Sequence, residues 1–141
     1  MASKTCTHEK FVSKGIISEL RQICTKVLCQ TESLNYSEDA LFAIRLAMEE
    51  SIINAVKHGN KRNPDKDVII EYGLSAERLD LWVADEGQGF DSEHLEDPRC
   101  EENIYKTNGR GVLLIRAYMD VVEYNEAGNS VHMTKYNRKS T

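Results

Sequence analysis

The chain has 141 residues, of which 40% are apolar and 29% charged, and these fractions are typical of a globular protein with a hydrophobic core. A net charge of −5 and an isoelectric point near 5.4 argue against direct nucleic-acid binding, which usually requires a basic face. No apolar run reaches the length of a membrane span and the first residues contain no signal-peptide core, so we expect one cytoplasmic domain, residues 1–141, without membrane contact.

The first half of the chain predicts one short strand and two helices. Residues 5–12 are compatible with an edge strand, and apolar residues recur at helical spacing from about Lys14 to Gln30. Ser37 is a suitable N-cap for a second helix that continues to about His58, and Gly59 is expected to end it.

The second half predicts four strands and a third helix. The segments "DVIIEYGL" and "RLDLWVAD" form strands joined by a short turn, and a long polar stretch, residues 86–108, follows them. A helix then begins directly behind the glycines of "GRGVLLIRAYM", and a hairpin turning at Gly128 and Asn129 closes the chain. This order predicts an α+β two-layer sandwich, in which three helices cover one face of a mainly antiparallel sheet.

The second helix carries a polar pair within an otherwise apolar pattern, in the sequence "EESIINAVKHG". Glu50 and Asn54 are four residues apart and therefore lie on the same face of the helix. If this face lines a pocket, the carboxylate and the amide oxygen are suited to hold a hydrated metal or to orient a hydroxyl group. If the face is solvated surface, the pair has no function, and the two residues alone do not decide.

Two glycine motifs follow. In "DEGQGFD" a strand ends at Asp85 and continues into Gly87 and Gly89, so that a carboxylate able to accept a hydrogen bond from an adenine amine lies beside tightly turning backbone. In "NGRGVLLI" Gly109 and Gly111 precede a helix whose free N–H groups could meet a phosphate. Taken singly, the first motif is explained as well by an ordinary turn, and the second is explained better by an ordinary helix start. A dinucleotide-binding fingerprint and a Walker lysine are both absent.

In this order, the three motifs resemble those of the GHKL-type ATP-binding family, which includes gyrase-like ATPases, histidine kinases and anti-sigma-factor serine kinases. "EESIINAVKHG" resembles the N box, "DEGQGFD" the first glycine box and "GRGVLLI" the second, and the resemblance covers about residues 10–136. It is closest to the small, single-domain anti-sigma serine kinases. The family's Bergerat fold would then place a mobile ATP lid at about residues 90–108.

The resemblance implies roles for particular residues. Asn54 would coordinate Mg²⁺ and Glu50 would be the general base that accepts the proton of a serine hydroxyl. Asp85 would bind the adenine amine, with the backbone passing beneath the base. The other implied nucleotide-binding residues are two pairs of glycines and three basic residues that would meet phosphate: Gly87, Gly89, Gly109, Gly111, Lys57, Lys106 and Arg110.

The resemblance implies an ATP-dependent serine-protein kinase that also binds a sigma factor and phosphorylates a STAS-type anti-anti-sigma antagonist, with ATP and Mg²⁺ as cofactors and a homodimer by analogy. The sequence departs from the family pattern in the lid, which is rich in acidic residues and has no threonine–lysine phosphate clamp. This difference weighs against rapid phosphoryl transfer more than against nucleotide binding. The alternatives are a nucleotide-dependent module that sequesters a regulator with little or no kinase activity, and a detached sensor-kinase domain that phosphorylates histidine in trans.

Overall fold

The sheet has five strands in the order β1-β2-β3-β5-β4, and every neighbouring pair is antiparallel. The computed structural model describes residues 6–61, 63–87 and 114–138. The strands are β1 (Thr7–Ser13), β2 (Val68–Leu74), β3 (Arg78–Asp85), β4 (Val121–Tyr124) and β5 (Ser130–Tyr136). The helices are α1 (Ile17–Ser33), α2 (Glu38–Ile53), a π-helix (Asn54–Gly59) and α3 (residues 114–118).

Alternation along the strands separates a buried face of the sheet from a more exposed one. In β3, Leu79, Leu81 and Val83 are buried, whereas Asp80 and Trp82 between them are partly exposed. Because side chains alternate across a strand, the buried set forms one continuous apolar surface on which the helices pack.

The core lies between this surface and the helices. Its largest fully buried side chains come from both layers and include Leu20 of α1, Ile44 and Met48 of α2, and Tyr72, Leu81 and Met133 of the sheet. Ile115 of α3 and Met119 belong to the same cluster, so α3 also covers this face. The predicted α+β architecture with an antiparallel sheet is therefore confirmed.

Several local predictions are also confirmed. Residues 7–13 form the edge strand β1, and the Ser37 side chain accepts a hydrogen bond from the Ala40 N–H at 3.1 Å, as an N-cap does. The last two strands meet through a turn in which Gly128 has a φ of +77°, a conformation that glycine adopts readily. The first helix begins and ends about three residues later than predicted, at Ile17 and Ser33.

The predicted lid and several predicted site residues lie outside the described residues. These are residues 90–108 together with Gly89, Gly109, Arg110 and Gly111. Within the described ranges, the structure contains no helix of the length and apolarity needed to traverse a lipid bilayer.

The cysteines of α1 differ sharply in environment, which predicts different reactivity. Cys24 is buried, and burial together with the charge of Glu49 raises its pKa to about 11, whereas Cys29 is exposed. Since the thiolate is the reactive species, iodoacetamide at pH 8 should label Cys29 in the folded protein and leave Cys24 unlabelled. Peptide mass spectrometry checks this, with labelling in urea as the control in which both react. Equal labelling rates in the folded protein would contradict the packing of Cys24.

Candidate functional site

The second helix ends at Gly59, close to the predicted position, but its last six residues are not α-helical. After Ile53 the chain forms a π-helix, Asn54–Gly59, in which the Asn60 N–H donates to the Ala55 carbonyl, five residues earlier, at 2.8 Å. A π-turn accommodates one more residue than an α-turn, and such turns occur frequently at functional sites. The change in helix type begins at Asn54, one of the predicted site residues.

Glu50 and Asn54 lie one turn apart, because the Asn54 N–H donates to the carbonyls of Glu50 and Ser51. Both residues are partly buried. The Asn54 Oδ1 atom is buried and has neither a hydrogen bond nor an ion pair among the described residues. Asp67 Oδ1 also lacks a hydrogen bond of good geometry, but the Lys14 ammonium lies 2.9 Å from it.

An unpaired buried amide oxygen is unusual and calls for an explanation such as an ion. Mg²⁺ prefers hard oxygen ligands and keeps several waters, so one protein oxygen is sufficient when substrate phosphates supply others. The chemistry of Asn54 Oδ1 therefore fits the magnesium ligand that the sequence predicted there.

The end of β3 packs directly against the end of the π-helix. The Asp85 carboxylate lies against Gly59, so closely that a Cβ atom at that position would overlap it. A Cβ atom at Gly87 would overlap the main-chain carbonyl of Gly59. Two glycines thus allow the helix end and the strand end to approach each other, and Gly59 has a role beyond the helix stop that the sequence predicted.

Hydrogen bonds fix the Asp85 carboxylate and its backbone. The Gly87 N–H donates to Asp85 Oδ1 at 2.7 Å, and the Asp85 N–H donates to the Asn129 carbonyl at 2.9 Å. Burial raises the pKa of Asp85 above its ordinary value, opposed by the Gly87 hydrogen bond and the charge of Lys66. The result is an acceptor that is held in place and incompletely solvated, which is well suited to bind an amine of a ligand.

Asn60 is a residue of this site that the sequence reading missed. It is only 3% exposed, and its side chain accepts from the Glu86 N–H at 2.8 Å and donates to the Asp67 carbonyl at 2.9 Å. Asparagine directly after a helix-ending glycine is common in turns, so its position gave no signal of a buried bridge.

The structure therefore brings together the helix end that begins at Asn54 and the strand end that carries Asp85 and Gly87. Lys57 is exposed on the π-helix. The second glycine motif, with Gly109, Arg110 and Gly111, and the residues Gly89 and Lys106 lie outside the described residues.

Residues 14–135 match the family described as the histidine kinase-like ATPase domain. The chain belongs to this family. The family resemblance inferred from the three motifs is thereby confirmed, and a histidine kinase-like ATPase domain implies the use of ATP.

Curated relatives are similar over most of the chain. The serine-protein kinase RsbW of Listeria monocytogenes is 33% identical over 108 residues, which cover 72% of this chain and 69% of the relative. The proteins of the same name from Bacillus subtilis and Staphylococcus epidermidis are 32% and 33% identical, over 73% of this chain and 69% and 70% of the relatives. This member of the histidine kinase-like ATPase family is thus similar to serine-protein kinases.

The half-buried carboxylate of Asp85 predicts a conflict between stability and the nucleotide binding that the family resemblance implies for it. Because folding raises its pKa, the folded protein holds the proton more tightly than the unfolded chain, so ionisation of Asp85 destabilises the fold as the pH rises through that pKa. At neutral pH, Asp85→Asn should therefore raise the melting temperature.

If Asp85 binds the adenine amine, as the resemblance implies, the same variant should lose the preference for adenine. If the new Oδ1 keeps the hydrogen bond from the Gly87 N–H, the amide NH₂ group faces the ligand and opposes the adenine amine. Inosine triphosphate carries an oxygen at this position and should become the better ligand. Calorimetric titration with ATP and with inosine triphosphate, together with a thermal melt, checks the prediction. Asp80→Asn, on the partly exposed face of β3, is the control and should leave nucleotide binding unchanged. A variant that is destabilised, or that still prefers ATP, would contradict it.

Proposed function

We propose that this protein is an ATP-dependent serine-protein kinase that also acts as an anti-sigma factor in a partner-switching system. It phosphorylates a serine of a STAS-type anti-anti-sigma antagonist and holds a sigma factor when that antagonist is phosphorylated. The observation that carries the proposal is the buried Asn54 Oδ1, which has no partner among the described residues and lies one turn from Glu50, on the helix whose end packs against Asp85. The similarity to the serine-protein kinases supports the choice of serine as acceptor.

Each described residue has a separate task in this mechanism. Asn54 would hold Mg²⁺, which when bound neutralises the phosphate charge that develops during phosphoryl transfer. Asp85 accepts the hydrogen bond of the adenine amine, while the close approach at Gly59 and Gly87 keeps its carboxylate in place. Glu50 accepts the proton of the attacking serine hydroxyl, and the partly buried helix face limits its access to water.

The remaining assignments rest on the family resemblance. Gly89 would let the backbone pass beneath the base, Gly109 and Gly111 would hold phosphates through their N–H groups, and Arg110 and Lys57 would offset phosphate charge. The acid-rich lid would be ordered by the partner protein. We also place the protein in the cytoplasm, without direct contact with nucleic acid or membrane, and as a homodimer by analogy.

A phosphorylation assay tests the proposal. The purified protein is mixed with a candidate STAS-domain antagonist and ATP, in the presence of either Mg²⁺ or EDTA. Mass spectrometry then identifies which residue of the antagonist is phosphorylated. We expect phosphoserine only with Mg²⁺, and no product with an antagonist whose acceptor serine is replaced by alanine. A phosphohistidine, which is acid-labile, would instead indicate a sensor-kinase domain. Absence of ATP binding by calorimetry would remove the proposal altogether.

The acidic lid favours a second function, that of a nucleotide-dependent module that sequesters a regulator without turnover. Acidic side chains near the phosphates would slow transfer by repulsion while the adenine contacts remain. This function predicts ATP binding by calorimetry, ATP-dependent capture of the sigma factor, and no phosphoserine on the antagonist after prolonged incubation.

A further inference from the structure

We propose that Asn60 is a positioning residue for adenine recognition, which acts by fixing the main chain immediately after Asp85. The inference rests on the proposed function, because it assumes that Asp85 binds the adenine amine. It adds a residue that does not itself contact the nucleotide.

The Asn60 carboxamide joins three segments of the chain. Its Oδ1 accepts from the Glu86 N–H at 2.8 Å, and its Nδ2 donates to the Asp67 carbonyl at 2.9 Å. The Asp67 N–H in turn donates to Glu86 Oε1. The end of the π-helix, the start of β2 and the residue after Asp85 are therefore tied into one closed network around a side chain that is 3% exposed.

The backbone of Asn60 is held as firmly as its side chain. Its N–H closes the π-turn onto the Ala55 carbonyl at 2.8 Å, and its carbonyl accepts from the Asn63 N–H at 2.9 Å. Because the π-helix begins at Asn54, the position of Asn60 is determined relative to the proposed magnesium ligand. Residues 85–87 form the segment that carries Asp85, called the Asp85 segment below. Among the hydrogen bonds of the described residues, the one from the Glu86 N–H to Asn60 Oδ1 connects the helix to this segment.

The Asp85 segment is also held from its other side, but by a different part of the molecule. The Asn129 carbonyl accepts from the Asp85 N–H at 2.9 Å, and Asn129 Nδ2 donates to the Gly87 carbonyl at 3.1 Å. Those bonds attach the segment to the hairpin between β4 and β5. Among the described residues, the Asn60 bridge is the hydrogen bond that ties the segment to the helix, beside the packing of Gly59 against Asp85 and Gly87, so loss of Asn60 should let Asp85 move relative to the nucleotide site without releasing it from the sheet.

The experiment measures dissociation constants for ATP and inosine triphosphate with wild type, Asn60→Ala, Asp85→Ala and the double variant. The two nucleotides differ at the group that Asp85 binds, and a hydrogen bond to a charged acceptor gives roughly a tenfold or greater preference for ATP. We expect Asn60→Ala to lower this preference at least about threefold and Asp85→Ala to abolish it. In the double variant, Asn60→Ala should have no further effect, because coupled residues are not additive.

Two controls separate positioning from general destabilisation. Asn137 makes a comparable bridge at a distance from the site, donating to the carbonyls of Leu34 and Ala76, so Asn137→Ala should leave the ATP preference unchanged even if it lowers the melting temperature. Asn60→Asp keeps the acceptor for the Glu86 N–H and should retain more of the preference than Asn60→Ala.

The outcomes distinguish failure of the inference from failure of the proposed function. A wild-type preference for ATP that survives intact in Asn60→Ala would overturn the positioning role. If Asn60→Ala does not fold, Asn60→Thr replaces it, because threonine is too short to reach both partners of the asparagine. An intact preference for ATP in Asn60→Thr would likewise overturn the positioning role. A wild-type protein without any preference for ATP would overturn adenine recognition by Asp85 itself.

Discussion

Replacing Glu50 by glutamine is expected to lower the rate of serine phosphorylation by about 10²–10⁴-fold, the usual contribution of a general base. The variant should bind ATP with an affinity close to that of the wild type, because Glu50 is not among the residues proposed to bind the nucleotide. Glutamine has almost the same shape, and the Glu50 side chain makes no hydrogen bond or ion pair within the described part of the chain. The melting temperature should therefore change little.

Glu49→Gln is the matched control, because this neighbouring carboxylate is exposed on another face of the same helix. Single-turnover phosphorylation and calorimetric titration with ATP should show the loss of rate only for Glu50→Gln. Rapid transfer in that variant would remove the general-base assignment. Equal losses in both variants would point to an effect of helix charge and not to catalysis at Glu50.

The two glycines at the contact between helix and strand predict different consequences for the same substitution. In Gly59→Ala the new Cβ meets the Asp85 carboxylate, a side-chain end that is able to move aside. We expect ATP affinity to fall about tenfold or more as the charged hydrogen bond is lost. The free energy of unfolding should change by less than about 1 kcal/mol, since alanine is favoured over glycine in helices by a similar amount.

In Gly87→Ala the new Cβ meets the main-chain carbonyl of Gly59, which has no alternative rotamer. The two segments must separate, so we expect a loss of ATP affinity together with destabilisation of about 1–3 kcal/mol. Urea unfolding and ATP titration of both variants check the contrast.

Gly73→Ala is the control for both substitutions. A Cβ there would meet only His8 Cδ2, at an ordinary contact distance of 3.7 Å. It should leave ATP binding unchanged. If Gly59→Ala bound ATP normally, the proposed position of the Asp85 carboxylate in the nucleotide site would be wrong.

The sequence was most informative where a local pattern determines the structure. The strict alternation in β3 predicted its buried face, and Ser37 followed by two acidic residues predicted the start of α2. Both signals depend on neighbouring residues alone. The two-layer architecture followed from the order of such elements, and the family motifs agreed with it.

The contacts between distant segments were less predictable. An apolar pattern at three- and four-residue spacing does not distinguish an α-helix from one that ends in a π-turn, so the sequence predicted the end of the second helix near Gly59 but not the π-turn. Gly59 was read as a helix stop because its neighbour in space, Asp85, is 26 residues further along the chain. Asn60 was missed for the same reason, since both of its side-chain partners come from later segments.

The π-turn also constrains the number of residues between Asn54 and Asn60. Because a π-turn holds one more residue than an α-turn, a chain that lacks one residue here could close the same helix end with an α-turn and keep nearly the same direction beyond it. A second extra residue has no such accommodation, since successive helical residues are rotated by about 100°, and it would turn Gly59 and Asn60 away from the strand. We therefore expect relatives to tolerate a one-residue gap in this stretch better than a one-residue insertion.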